Sequence, residues 1–252
     1  NTLCPMLTNV PMTLHQTWKS RDVPAAIART CAKWKQMNPS HRHVYYDDAA
    51  CRSYIHNTFG ASVVDAFDGL VPGAFKADLF RYCLLWNEGG VYADVDCAPI
   101  VPLRSFIGRF DFVSVRERYG IPGVYQAFIA CRPKLPFFKT AVERIVKHVQ
   151  DRYYPKVDTS SDAKKFTALL SVTGPVLLAT CIKDHYGAEL APGTSTMSDG
   201  TTVKMLELRD NLVVDGEKPV IDTKADGYDE VVAVYGHYGD MVEQRNLYKN
   251  VL

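Results

Sequence analysis

Three features of the sequence predict an α/β fold with a mainly parallel central sheet flanked by helices. β-favouring runs alternate with amphipathic segments through the first half, Gly or Pro punctuates the exchanges, and a pair of aspartates closes one apolar run. In such sheets ligands bind outside the carboxyl ends of the strands, where those aspartates fall.

The elements follow in order. Residues 12–18 form a short β-favouring run, and 24–37 read as a helix with Pro24 at its start. Residues 43–46 make a second strand, after which Asp47-Asp48 supplies an N-cap for another helix. Between 73 and 88 the residues Phe75, Leu79, Tyr82, Cys83 and Trp86 recur at helical spacing, and Gly89-Gly90 ends the run. Residues 91–93 then enter the interior as a strand. Strands are expected at 110–115 and 125–131, with a Gly/Pro loop at 119–123 between them. Phe138, Ala141, Val142, Ile145 and Val149 mark the core face of a helix. Residues 151–165 are polar and read as an exposed connection, 175–185 as a helix, and 203–208, 212–214 and 231–235 as short strands.

The 252 residues can bury a substantial core, and no repeat or low-complexity tract divides them, so one domain over 1–252 is expected. With 29 basic against 28 acidic residues the net charge is +1, and no overall field favours nucleic acid. No window reaches the ~18 consecutive apolar residues of a spanning helix. The seven cysteines lack C-x-x-C spacing, which argues against a disulfide framework or a structural zinc. Asn38-Pro39-Ser40 carries the proline that forbids glycosylation. Both observations point to a reducing, cytoplasmic compartment. Asn1 is not an initiator methionine, and loss of an upstream anchor would place the chain in the Golgi lumen instead.

The chemistry concentrates in Lys76-Ala77-Asp78-Leu79-Phe80-Arg81-Tyr82 and Gly89-Gly90-Val91-Tyr92-Ala93-Asp94-Val95-Asp96. On extended backbone Asp94 and Asp96, two apart, project to one side and can grip one hard divalent cation, leaving positions open for a diphosphate. Solvated turn carboxylates are the alternative. Against that, the flanking Val91-Tyr92 and Ala98-Pro99-Ile100 would make burial of two like charges costly without a cation. Asp78 and Arg81 share one side of their helix, either as a surface ion pair or as a carboxylate and guanidinium for sugar hydroxyls and phosphate. Trp18 ends its strand beside His15 and Gln16, as a core aromatic or a face for a nucleobase. Gly174-Pro175 opens a helix where backbone can approach a ligand. His237, at the end of an apolar run, is a metal ligand or a structural imidazole. Residues 132–165 hold nine Lys/Arg against four Asp/Glu, either a solvated face or a site for an anionic acceptor or peripheral membrane association.

The residues Pro11-Met12-Thr13-Leu14-His15-Gln16-Thr17-Trp18-Lys19, the two central segments and Thr173-Gly174-Pro175 resemble the DXD-containing, sugar-binding-region glycosyltransferases. That family includes the yeast initiating α-1,6-mannosyltransferase and is distantly similar to the glucosylating domains of large clostridial toxins. The resemblance implies a glycosyltransferase-A (Rossmann-like) fold and a retaining transfer of hexose from a nucleotide-sugar donor. The donor is UDP-linked by preference, with GDP-mannose as the other choice, and the acceptor is a glycan or other hydroxyl compound. Mn²⁺ or Mg²⁺ is the implied cofactor, with Asp96 as its direct ligand, Asp94 between metal and donor ribose, and His237 as a further ligand. Asp78 and Arg81 are implied to contact the transferred sugar, Trp18 to stack on the base, His15, Gln16 and Gly174 to bind donor, and Gln126 to stand near the reacting centre. A sugar-nucleotide or carbohydrate-binding protein without catalysis, and a phosphatase or nucleotide hydrolase, are the alternative readings.

Overall fold

The computed structural model describes residues 9–118, 120–225, 228–229 and 245–249. Among them, β1 (Thr13–Thr17), α1 (Ala25–Met37), β2 (Arg42–Tyr46), α2 (Asp48–Phe59), α3 (Ala61–Gly69), α4 (Gly73–Asn87), β3 (Gly90–Ala93) and β4 (Ala98–Pro99) build the first half. The second half holds β5 (Phe112–Arg116), β6 (Val124–Cys131), α5 (Pro136–Gln150), α6 (Asp162–Leu169), α7 (Pro175–Tyr186), β7 (Gly193–Thr196), β8 (Thr202–Arg209), β9 (Leu212–Asp215) and β10 (Lys218–Asp222).

All ten strands join one sheet, ordered β2-β1-β3-β6-β5-β8-β9-β10-β4, with β7 on β8. The expected mainly parallel sheet is corrected to a mixed one. Parallel pairing holds only for β1 with β2, β1 with β3 and β5 with β8, where helices or long crossovers intervene. Elsewhere the pairing is antiparallel, since β8, β9 and β10 follow one another through two-residue turns that permit only hairpins. The β5–β6 pair is also antiparallel across the 117–123 loop.

Only Asp94, Val95, Asp96 and Cys97 separate β3 from β4, yet six strand spacings lie between them along the sheet. On a flat sheet that distance is about 29 Å. Five Cα steps reach at most about 18 Å. The sheet therefore curls until its β4 edge returns to β3, and the two aspartates occupy the short bridge.

Strand alternation divides the core into two layers. Tyr92, Phe112, Ile129 and Cys131 point to α2, α3, α4, α5 and α7, and Val91, Ala93, Val113, Val115, Phe128 and Ala130 point to Trp34 of α1 and the curled strands. Trp34 donates its indole N–H to the Cys97 carbonyl at 2.6 Å, which ties α1 to the bridge. Asp47 caps α2 by accepting the Ala50 N–H at 2.8 Å. Gly89 and Gly90 both have positive φ, and a Cβ on Gly89 would lie 2.6 Å from the Cys131 carbonyl oxygen, so the stop between α4 and β3 requires glycine.

The basic residues of 132–165 are largely engaged. Lys147 pairs with Asp151, Lys164 with Asp158, Arg144 with Asp184 and Arg132 with Asp111, and Lys134 sits over the Trp86 ring. Cys31, Cys51, Cys83, Cys97, Cys131 and Cys181 are free thiols, and no described helix is long and apolar enough to cross a membrane. The expected strand at 231–235, together with His237 and Cys4, lies outside the described residues.

Candidate active site

A cavity of about 440 Å³ opens where the carboxyl end of β3, the start of β6 and the amino ends of α4 and α7 meet. Helix α4 contributes Asp78 and Arg81 on one face, as their three-residue spacing requires. The β3–β4 bridge contributes Asp94 and Asp96, β6 contributes Gln126, the N-cap of α7 contributes Gly174, and the end of β1 contributes Thr17 and Trp18.

Arg81 organises the floor. It is 3% exposed, and its Nη1 donates to Asp78 Oδ1 at 2.9 Å and to Gln126 Oε1 at 3.1 Å. Its Nη2 donates to Asp94 Oδ1 at 3.1 Å and to the Tyr92 hydroxyl at 3.3 Å, and the guanidinium lies 4.3 Å from the Tyr92 ring centroid. Burial alone would favour the neutral guanidine, but Tyr92, Asp94 and Asp78 more than offset this and keep Arg81 ionised.

Asp78 is held from its other side by the Thr173 hydroxyl, which donates to Oδ2 at 2.8 Å. Burial pushes the Asp78 carboxyl up to about 6, against the pull of Arg81 and Thr173 towards the charged form. The Tyr82 hydroxyl donates to the carbonyls of Thr173 at 2.8 Å and Gly174 at 3.2 Å, so one turn of α4 fixes the entry to α7. A Cβ on Gly174 would stand 3.4 Å from Asp78 Oδ2.

β3 ends at Ala93 and Asp96 lies in a turn, which corrects the continuous strand geometry expected of the aspartate pair. The Cys97 N–H donates to the Asp94 carbonyl at 3.2 Å, closing a turn, and the Asp94 N–H donates to the Ala127 carbonyl at 2.9 Å. The curl of the sheet leaves too few residues for the strand to continue. Both side chains nevertheless line the cavity. Burial, and then the charge of Asp94, push the Asp96 carboxyl up to about 7. Two carboxylates on one open-sided wall are a donor set suited to a hard divalent cation. Among the described residues no group of three or more His, Cys, Asp and Glu converges to complete a closed metal cage.

The remaining expected site residues differ in place. Trp18 lines the cavity but is only 3% exposed, packed with Ile27 and Val95. His15 and Gln16 are buried and do not line it. Gln16 donates to the Asp94 carbonyl at 3.4 Å and pairs with His43 at 2.7 Å, so it supports the bridge from behind. His15 fits beneath Gly90, where a Cβ would lie 3.0 Å from its Nε2, and burial lowers its imidazole to about 4. Tyr92 carries no signal in the sequence, because it passes as one more apolar strand residue. Its hydroxyl in fact joins Arg81 to Thr17, 2.9 Å away. Glu117 is concealed among the charged residues 116–118, which look like a solvated strand end, yet it is buried and lines the cavity.

Residues 24–113 match the model of the glycosyltransferase sugar-binding region containing a DXD motif. The initiation-specific alpha-1,6-mannosyltransferase of Schizosaccharomyces pombe is 25% identical over 209 residues, which cover 75% of this chain and 52% of that enzyme. The chain thus spans about half the length of that relative. Among solved structures, the PaToxG glycosyltransferase superposes with a TM-score of 0.53 at 14% identity, covering 71% of this chain and 70% of the other. The UDP-bound glycosyltransferase domain of the YGT toxin gives 0.50 at 11% identity, covering 87% and 82%. These two likenesses show the α/β fold with a curled mixed sheet of glycosyltransferase-A domains. Through residues 24–113 the chain is thus similar to glycosyltransferases whose sugar-binding region contains a DXD motif.

Proposed function

We propose that the chain moves a hexose from a nucleotide-sugar donor to a hydroxyl of a glycan or similar acceptor, with retention of configuration. The observation that carries this reading is the convergence of Asp78, Arg81, Asp94, Asp96 and Gln126 on one cavity. The relative's mannosyl transfer favours mannose as the sugar, and both UDP- and GDP-linked donors fit the same chemistry.

Asp94 and Asp96 would hold a divalent cation, Mn²⁺ or Mg²⁺, which when bound offsets the negative charge growing on the departing diphosphate. Arg81, fixed by four polar partners, adds a second positive charge without reorganising during the reaction. Asp78 orients the hexose through its hydroxyls, and Thr173 fixes the carboxylate that does so. Trp18, which lines the cavity, would stack on the base of the donor. In the transfer the bond from the anomeric carbon to the diphosphate breaks with its electron pair. The acceptor oxygen bonds to the same face, and the acceptor's proton passes to the departing phosphate oxygen.

A panel of UDP- and GDP-sugars, assayed for donor hydrolysis with and without Mn²⁺, tests this reading. Cation-dependent release of one sugar is expected. Inertness towards every donor, or release that continues in excess EDTA, would overturn it.

A further inference from the structure

Glu117 follows β5 and lines the cavity with its side chain 6% exposed. Asp78, equally enclosed, is explained by Arg81 and Thr173. Glu117 has no such partner from another element among the described residues. Its contacts are local and both fall on Oε1, from the Arg118 N–H at 3.0 Å and from the guanidinium of Arg118, itself 64% exposed, at 3.6 Å. The Arg116 guanidinium, the other charge beside it, is directed to Glu189 at 4.0 Å. A buried carboxylate with so little internal compensation is costly unless a ligand supplies the missing donors.

Its position is defined by close approaches. A Cβ on Gly123 would lie 3.1 Å from Glu117 Cβ and 2.9 Å from Pro175 Cβ, so Glu117 flanks the Gly174-Pro175 turn that also borders Asp78. A Cβ on Gly120 would touch Ala163 of α6 at 3.5 Å, so the same loop packs on α6. One turn on from Ala163, Phe166 lines the cavity while remaining 39% exposed. An exposed aromatic and a buried carboxylate lining one cavity offer it an apolar face and an acceptor of hydrogen bonds, the pair of surfaces that a sugar ring complements.

We propose that Glu117 and Phe166 form the acceptor subsite, binding a sugar ring of a glycan. The carboxylate accepts a hydrogen bond from a ring hydroxyl, and the phenyl ring carries the C–H face. The donor-side groups are joined to one another in the Arg81 network, whereas Glu117 takes no part in it and belongs to a loop whose Arg118 reaches solvent. The assignment of this sugar as acceptor rests on the transferase reading above, whereas the subsite itself does not.

The test is saturation-transfer NMR of methyl α-mannoside, methyl α-glucoside and methyl α-galactoside against the whole chain, with donor affinity measured alongside by calorimetry. At least one glycoside is expected to bind; Glu117→Gln is expected to weaken it about tenfold or more, as for loss of one hydrogen bond to a charged group, and Phe166→Ala about tenfold, as for loss of an aromatic packing face. Donor affinity should fall by a smaller factor. Glycoside binding that is absent in the wild type, or unchanged in both variants, overturns the subsite. An equal loss of donor and glycoside affinity overturns its acceptor role. Should Glu117→Gln fail to fold, Phe166→Ala, which alters a half-exposed side chain, separates the same outcomes by itself. Glycoside binding with no hydrolysis of any donor would remove the transferase reading and leave the subsite standing.

Discussion

Arg81 of α4 and Asp94 of the β3–β4 bridge are joined at 3.1 Å, which couples the helix that carries Asp78 to the bridge that carries Asp96. The same guanidinium holds Asp78 at 2.9 Å. Arg81→Met therefore leaves Asp78 buried without its cation, and breaking a buried pair in this way costs about 3–5 kcal/mol. The loss should be greatest at pH 8. At pH 5 it should shrink, because Asp78, pushed up to about 6 even with Arg81 in place, is largely protonated there and removal of Arg81 leaves little buried negative charge on it. Urea unfolding of wild type and variant at both pH values checks this. A pH-independent loss would show that Asp78 is not the group left unpaired.

Asp96 should make metal binding and folding oppose each other in pH. Its carboxyl, raised to about 7, keeps its proton in the fold long after it would ionise in the unfolded chain. Stability from this group is full below the ordinary aspartate range and is lost as pH rises through about 7. Without added metal, wild type should thus lose stability from pH 4 to 7 relative to Asp96→Asn. With Mn²⁺, affinity should rise across pH 6–8 as the competing proton leaves, and Asp96→Asn should lose activity by weakening the cation's hold. Calorimetric Mn²⁺ titration in buffers of differing ionisation enthalpy measures the proton released. Full activity of Asp96→Asn in EDTA-treated buffer would contradict the metal assignment.

Gly89 is a position where any side chain must strain the fold. Its φ is 65°, and a Cβ would meet the Cys131 carbonyl oxygen and the Pro133 nitrogen, both at 2.6 Å and both backbone. Gly89→Ala should cost about 2–5 kcal/mol, combining left-handed backbone with overpacking. Thermal unfolding would record a lower melting temperature. An unchanged melting temperature would mean that β3 and β6 can part without loss.

Much of the N-terminal half was legible because its signals are local. The 3.6-residue recurrence of Phe75, Leu79, Tyr82 and Cys83, the Asp47 cap and the Gly89-Gly90 stop each specify an element without reference to distant residues. Pairing direction was not legible, because β3 and β6 meet only through contacts made across the whole fold. The exposed β7 and the two-residue β4 have no apolar pattern to read, and α6 is concealed in a polar stretch. The site shows the same division. Asp78, Arg81, Asp94 and Asp96 could be named from spacing, but the fate of His15 and Gln16 depended on which face of β1 meets Gly90 and the bridge.

Trp18 links core and cavity, so its truncation should register in both. Trp18→Ala removes the ring packed on Val95 between the two aspartates and should destabilise the fold by about 3–5 kcal/mol. If the ring also stacks on the base, donor affinity should fall by a further amount of about 1–3 kcal/mol, read as a raised donor KM with a smaller change in kcat. Trp18→Phe, which keeps a face but less area, should recover part of both. Unchanged donor affinity in a variant that melts lower would confine Trp18 to the core.

Under the proposed retaining transfer, Gln126 bears on the route. Its Oε1 accepts from Arg81 at 3.1 Å and its Nε2 donates to the Val124 carbonyl at 2.9 Å, so the amide is fixed in one orientation over the floor of the cavity. An amide held in this way can steady an oxocarbenium-like transition state, but it cannot form the stable ester of a covalent intermediate. Front-face transfer is therefore expected. Gln126→Ala should lower kcat by about 10²-fold, as for loss of one preorganised polar group, while donor affinity changes little. The anomeric configuration of the product, followed by NMR before mutarotation, should match that of the donor. An inverted product, or a glycosyl group trapped on any Asp or Glu, would replace this route with one in which a carboxylate or an oppositely placed acceptor attacks from behind.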